Sequence, residues 1–529
     1  MCVLLMIFLS LLGGTWSRLE LLWILLTNSN MFSIPKSMAF FCNVVPHVKN
    51  VILSIMPFSE GKLPAKYLGV PLISSRLLNR DCKVLVERAR NRIGDWKNKS
   101  LPFAGRLQLC KSVISSMQVY WASVLVIPMG IVFDIQQLIR GFLWCNGDYK
   151  RGKAKVAWDD IFLPKHEGGL GLRSLEVFNL ALMGTHIWNI VSSKESLWVR
   201  WVHTYKLRGR TFWDVRSKAD MSWGWRKLLQ LHDLVRPFFW MHIGNGLKAS
   251  LWHDMWSYQC PLSSYLSPRN ITREGRTLQD CVADLIETGA WRWPEPWLIK
   301  APNHALIAAP NIDISRHDSM RWCDLNGNLS DFSVKCAWEV LRPRGQQVMW
   351  YHITWFSHCI PRHAFHIWLV MRRCLKTQYK LRPWDVDAQT DVSQLRCSLC
   401  GSQQDSHEHL FFECSYSSKV WNYIRNLAGM EHVPPVLDDI AMWFIPMANK
   451  RSFKNVVGKM LFAAASYYIW MEGNNRLFKK NRRSPEEIRD LVMTTVRLKL
   501  VTFRFKNTSR VLSLLSLWKM PSNFRLYGS

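Results

Sequence analysis

The sequence predicts a mainly α, multidomain chain carrying one small cysteine–histidine knuckle, and three observations lead there. Apolar residues recur at helical spacing from Asp81 onward while strict strand alternation is sparse. A chain of 529 residues with 48% hydrophobic content is long and apolar enough for several cores. Near the end, Cys397, Cys400, His409 and Cys414 form a C-x2-C-x8-H-x4-C array, and no other stretch is as chemically specific.

The first 27 residues are strongly apolar. They have no basic segment ahead of the apolar run, and Arg18 and Glu20 interrupt it, so neither a secretory signal nor a spanning helix fits well. Ser59-Glu-Gly-Lys-Leu-Pro64 reads as a linker. Asp81 to Lys111 reads as basic helix, with eight Lys/Arg against three acids and Val84, Leu85, Ile93, Leu107, Leu109 and Val113 at roughly helical spacing. Its polar face suits phosphates or simply water, and composition does not separate the two.

From Tyr120 to Pro310 the chain is rich in tryptophan, of which the whole sequence holds 28. Contexts such as Phe142-Leu-Trp144 and His366-Ile-Trp368 favour core packing over base stacking. Gly168-Gly-Leu-Gly-Leu172 lacks both the Gly-Lys-Ser/Thr that follows a phosphate loop and the G-x-G-x-x-G spacing, so a turn is expected. His358, His363 and His366 stand close in sequence. Pro361 and the helical pattern after it make them packing or surface histidines rather than a second metal site. In the tail, Ser484-Pro-Glu-Glu487 is a capping box that starts a helix with the stripe Ile488, Leu491, Val492, Val496 and Leu500. From Met471 onward there are 13 Lys/Arg against 4 acids, and Lys479 to Arg483 is a dense cluster, suited to phosphate contact, to nuclear import or to plain solvation.

Three soft thiolates and an imidazole within 18 residues suit tetrahedral Zn²⁺, and four protein ligands leave no open position for a reactive water. The predicted role is structural. A lone C-x2-C pair would also fit redox chemistry, but His-Leu-Phe-Phe-Glu-Cys places an apolar run between the last two ligands, as beside a metal knuckle. Spacing leaves His407 as a rival to His409. The other cysteines, out of 14, form no regular framework, which argues against a disulfide-built secreted fold and for an intracellular compartment, nucleus or cytoplasm. The net charge of +30 points to a polyanionic partner, RNA or DNA, rather than a small-molecule substrate or a membrane.

A series of short motifs appears in a definite order: Tyr67-Leu-Gly-Val-Pro-Leu72, Trp96-Lys-Asn-Lys-Ser-Leu101, Ala104-Gly-Arg106, Tyr120 with Pro128, Phe142-Leu-Trp144, Val156-Ala-Trp158, Pro164-Lys165 and Gly168-Gly-Leu-Gly-Leu-Arg173. Ile243-Gly-Asn-Gly246, Trp252-His-Asp-Met-Trp256, Phe332-Ser-Val334 with Trp338, Ile360-Pro361, Trp368, the cysteine array, Ile469-Trp470, and Asn475-Arg476 with Phe478 complete it. With these the chain resembles the C-terminal part of plant LINE-type (non-LTR) retrotransposon reverse transcriptases, including their zinc-binding domain, zf-RVT. The resemblance implies that Cys397, Cys400, His409 and Cys414 bind zinc. It also implies five stretches: 1–58 as a degenerate remnant of an α+β polymerase palm, 59–130 as a basic thumb-like helical region, 131–325 as a tryptophan-rich connector, 326–425 as the zinc-binding domain and 426–529 as a basic helical tail.

In that family an aspartate pair in a Phe-Ala-Asp-Asp type hairpin precedes the Tyr-Leu-Gly-Val-Pro-Leu motif and holds two Mg²⁺ ions for phosphoryl transfer. Here the first acid is Glu20 and the next Glu60, so no Mg²⁺ site and no catalytic residue is expected. Asp159-Asp160 matches a later block of the family and not its palm. The tail does not resemble a ribonuclease H domain. The expectation is a nucleic-acid-binding protein without polymerase activity of its own. Arg88, Arg92, Lys97, Lys99 and Arg106 form one group of phosphate contacts, and Lys479, Lys480, Arg482 and Arg483 a second. Polymerase activity with a palm supplied in trans, or a purely structural role, are the alternatives.

Overall fold

A computed structural model describes residues 38–39, 41, 45–55, 59–62, 65–67, 69–72, 76–97, 101–145, 154–287, 289–300, 302, 307–380, 396–450, 452–479, 481–506, 508–520 and 526–527. Helices dominate among them, and the strands are short. The main helices are α1 Asn79–Lys97, α2 Leu175–Val191, α3 Val334–Leu341, α4 Pro361–Met371, α5 Ser415–Ile424, α6 Phe453–Lys479 and α7 Pro485–Leu500. The palm reading of 1–58 falls largely on residues outside those described. The described part holds a helix, Pro46–Ile55, and a two-residue strand, Met38–Ala39, paired in parallel with Ser59–Glu60.

The chain divides into two compact units, each drawn from several stretches of sequence. The first takes residues up to Arg88, Met117–Asp134 and Ser174–Arg342; the second takes Ala89–Ser116, Ile135–Arg173 and Pro343–Ser529. Both draw on more than one of the five stretches read along the sequence.

In the first unit, Tyr67-Leu-Gly-Val-Pro-Leu72 is a hairpin, Ala65–Tyr67 against Val70–Leu72, and the turn needs Gly69 at φ +84°. Further on, α2 is buried through Ala181, Met183, Ile187 and Ile190 and packs on α3. Asn179 shares that buried face because its amide is fully used: it accepts from the Ile127 N–H at 2.8 Å and donates to the carbonyls of Ala122 at 2.6 Å and Leu125 at 2.8 Å. An antiparallel sheet, ordered β1 Phe239–His242, β2 Ser319–Cys323 and β3 Leu329–Ser330, turns Phe239 and Trp322 into the same core. A second cluster gathers around Trp252, Trp256 and Trp297. Those tryptophans pack as core.

Ile243-Gly-Asn-Gly246 is a loop wrapped around one buried carboxylate. Asp318 accepts from the backbone N–H groups of Gly244, Gly246, Lys248 and Ala249 at 2.7 to 2.9 Å. Burial alone would push its pKa up, but the four donors pull the carboxyl below the usual range. A Cβ at Gly244 would lie 2.5 Å from the Arg316 carbonyl oxygen, and Gly246 sits at φ +70°. The glycines therefore let backbone close on an aspartate.

In the second unit, α4 is apolar nearly all round and packs on α6, which in turn packs on α7. The capping box of Ser484 and Glu487 is formed, with Pro485 in the first turn, and Ile488, Val492, Val496 and Leu500 are buried. The Gly168 block is a tight turn. Gly168 and Gly171 lie at φ +82° and +66°, and a Cβ on Gly169 would fall 2.0 Å from the Leu163 carbonyl oxygen. The Gly168 carbonyl accepts from Trp368 Nε1 at 2.9 Å and from Arg372 at 2.8 Å. Arg372 also pairs with Asp160, so that acid serves to orient an arginine.

Candidate metal centre

Two backbone devices present the four ligands, all in the second unit. Cys397 and Cys400 flank a tight turn in which the Cys397 N–H donates to the Gln403 carbonyl and the Gly401 N–H donates to the Cys397 carbonyl, both at 2.7 Å. Gly401 takes φ +72°, which a side chain would resist. The second device is a broken turn over His409–Glu413. Phe411 leaves helical geometry at φ −94°, ψ 91°, and Phe412 enters the left-handed region at φ 82°, ψ −19°. For a bulky residue that costs about 1–3 kcal/mol. Burial offsets it: Phe412 is fully buried, with ring centroids 5.0 Å from Trp421 and 5.7 Å from Phe462. The reversal swings Cys414 back toward the first pair and leaves it as the N-cap of α5.

The four donor atoms lie within 4.8 Å of one another. Cys397 Sγ and Cys414 Sγ are 3.9 Å apart, too far for a disulfide, and Cys400 Sγ is 3.3 Å from His409 Nε2. A tetrahedral ion with Zn–S near 2.3 Å sets sulfurs about 3.8 Å apart. The donor set and its spacing fit Zn²⁺. Cys414 is held below the usual thiol range, first by the hydrogen bond from Cys397, against burial, and further by the N–H groups of Tyr416 and Ser417 at the start of α5. Cys397, as the partner in that bond, is raised. At Cys400 burial acts upward, but the Ser402 hydroxyl, backbone N–H groups and His409 outweigh it and lower the thiol.

His409 belongs to the cluster, and His407 does not. His407 is buried against Phe411, ring centroids 4.8 Å apart, with no hydrogen-bond partner on either ring nitrogen. Burial pushes it down to about 4. Spacing alone left the two alike; the fold sets His409 beside the three cysteines and His407 against Phe411.

Arg476 on α6 braces the knuckle. Its guanidinium donates to the Leu399 carbonyl inside the Cys397–Cys400 turn at 2.8 Å, to Glu472 Oε1 at 2.7 Å and to the Arg483 carbonyl at 2.9 Å. It also lies 4.4 Å from the Tyr416 ring centroid. Glu472 is 1% exposed and accepts from the Arg483 N–H at 2.8 Å as well. The metal turn and the entry to α7 thus share one buried ion pair. Sequence reading quoted Arg476 as part of a motif but gave it no task; its spacing of four from Glu472 was the available signal.

The proposed phosphate contacts are placed unevenly. Arg88 and Arg92 are exposed on α1, whose buried face is Cys82, Leu85, Val86, Ala89 and Ile93. Lys97 closes that helix. Arg106 is half-buried and donates to the Phe142 carbonyl at 3.0 Å. Lys479 and Arg482 are exposed and Arg483 is half-buried. Lys99 and Lys480 lie outside the described residues. His363 and His366 are buried in α4, 1% and 5% exposed, and His366 Nε2 meets the Ser466 carbonyl at 3.1 Å, so both are packing residues. Among the described residues the Cys397 group is the one that draws three or more metal-ligating side chains together.

Comparison with known proteins agrees with the site. Residues 332–421 match the family model described as zinc-binding in reverse transcriptase. The chain is 25% identical over 438 residues to a putative ribonuclease H protein of Arabidopsis thaliana, covering 79% of this chain and 68% of that one. It is 24% identical over 149 residues to an uncharacterized mitochondrial protein of the same plant, covering 28% of this chain and 82% of that one.

Proposed function

We propose that the chain, as a relative of plant retrotransposon reverse-transcriptase proteins, binds RNA or DNA, with a structural Zn²⁺ on Cys397, Cys400, His409 and Cys414, and does not itself polymerise. The observation that carries the metal is the convergence of those four donors within 4.8 Å, in the segment that matches the zinc-binding family. The ion would tie two reversed turns together and activate no water, because protein atoms fill its coordination shell.

Charge supports nucleic acid as the partner. A net +30, with Arg88 and Arg92 exposed on α1 and Lys479 and Arg482 exposed ahead of α7, supplies cations that release counterions from phosphates. No described helix is long and apolar enough to cross a membrane. The LINE type, the five stretches and the phosphate contacts belong to the same reading. The reading of no polymerase activity is supported by the residues ahead of the Tyr67 hairpin, where Glu20 and Glu60 stand but no aspartate pair that could hold two metal ions.

Three measurements on purified chain test the reading. Zinc content should be one per chain and should fall in Cys400→Ser. Affinity for RNA or DNA should drop steeply with salt, and a flat salt response refutes the nucleic-acid reading. Mg²⁺-dependent primer extension by the chain would refute the claim of inactivity.

A further inference from the structure

We propose that the open face of the β1–β2 sheet in the first unit binds single-stranded nucleic acid by base stacking, a site separate from the basic helices. The inference rests on the reading of the chain as a nucleic-acid binder. Along β1, Phe239 and Met241 point into the core while Trp240 and His242 alternate outward. Register places Trp240 directly opposite Arg321 of β2 and His242 opposite Ser319. An indole and a guanidinium therefore stand side by side on one face.

Other groups complete a platform. Tyr258, 79% exposed, lies with its ring centroid 5.0 Å from that of Trp240. A large aromatic that exposed gains little from burial. Trp240, His242, Ser319 and Arg321 line a cleft of about 680 Å³ together with Arg316 and His317. That volume is within the range of small-ligand sites and admits a nucleotide. Arg316 is 78% exposed and Arg321 is 42% exposed. Each has an acidic neighbour, Asp313 and Asp331, so the cleft itself is only weakly cationic.

The mixture of an aromatic floor and arginines at the rim favours a base with its phosphate over a protein surface or a plain anion. Stacking requires an unpaired base, because both faces of a base in duplex are already covered. The preference is for single strands of any sequence, since every base offers a π face. Long-range attraction comes from the chain's net +30 and the local hold from Trp240 and Tyr258.

The experiment measures fluorescence anisotropy of a labelled oligo(U) 12-mer and of a duplex with the full-length chain. Trp240→Ala and Tyr258→Ala should weaken single-strand binding by between about fivefold and a hundredfold while leaving the duplex unchanged. Trp240→Phe should retain most of the affinity. Crosslinking of 5-bromouridine RNA should map to the β1 peptide. If Trp240→Ala keeps its circular dichroism but loses no affinity, while Arg92→Ser and Arg482→Ser do, the platform is refuted and the basic helices stand. Should wild type bind neither oligonucleotide, the nucleic-acid reading and this proposal fall together. Arg316→Ser, at an exposed position with no packing role, guards against a misfolded Trp240 variant and should lower single-strand affinity severalfold.

Discussion

At the scale of single residues, Arg476 is where most is at stake outside the ligands. Its guanidinium reaches the metal turn, Glu472 and the entry to α7 together. Removing it leaves Glu472 buried and charged without its partner, so Arg476→Ala should cost about 3–5 kcal/mol by denaturant unfolding and Arg476→Lys somewhat less. Two histidines set a pH limit. Burial lowers both His363 and His366 to about 3, against 6.5 when exposed. The unfolded chain therefore binds more protons than the folded one below pH 6.5, and stability falls as pH drops through that value toward 3. Each histidine should cost about 2 kcal/mol between pH 7 and pH 5, measurable as a lower urea midpoint, and His363→Gln should flatten part of the slope. The choice of His409 over His407 was not legible in the sequence. Two residues apart on a helical turn, the side chains point to different sides, and which side faces the three cysteines is set by tertiary packing rather than by the local pattern.

At the scale of elements, sequence patterns did better where they were local. The capping box at Ser484 and the stripe Ile488, Val492, Val496 and Leu500 were readable because caps and 3.6-residue spacing are properties of one helix. Ser484→Ala should lower stability by about 1 kcal/mol, seen as a shift in thermal midpoint. The glycine turn at Gly168 was also legible as a turn, by lacking phosphate-loop spacing, whereas the Gly244 loop stood only as one of the ordered motifs. What that loop closes around was not legible, because Asp318 lies more than seventy positions from the Gly244 loop it satisfies. Asp318→Ala should orphan four N–H groups and cost about 2–4 kcal/mol, with protection from hydrogen exchange lost at residues 244–249.

For the whole molecule, composition announced several cores and length announced more than one unit, while the net charge of +30 raised a polyanionic partner as an expectation only. The way each unit is assembled was hidden, since stretches far apart in sequence contribute to each. Metal removal tests the second unit as a whole. Chelation should unfold the knuckle and, through Arg476, loosen the entry to α7, so hydrogen exchange should rise both at 396–414 and at 481–487. A rise confined to the ligands would show that the ion pair does not transmit the loss.

The Arg476 brace also has a consequence in time. A ribosome delivers Cys397 to Cys414 first and completes the support only at Arg483, roughly seventy residues or several seconds of synthesis later. A nascent knuckle that binds Zn²⁺ would meet its ion while its scaffold is still unmade. If the site takes Zn²⁺, early capture would cover the three thiols through that interval, and the yield of folded chain should rise with zinc supplied during translation.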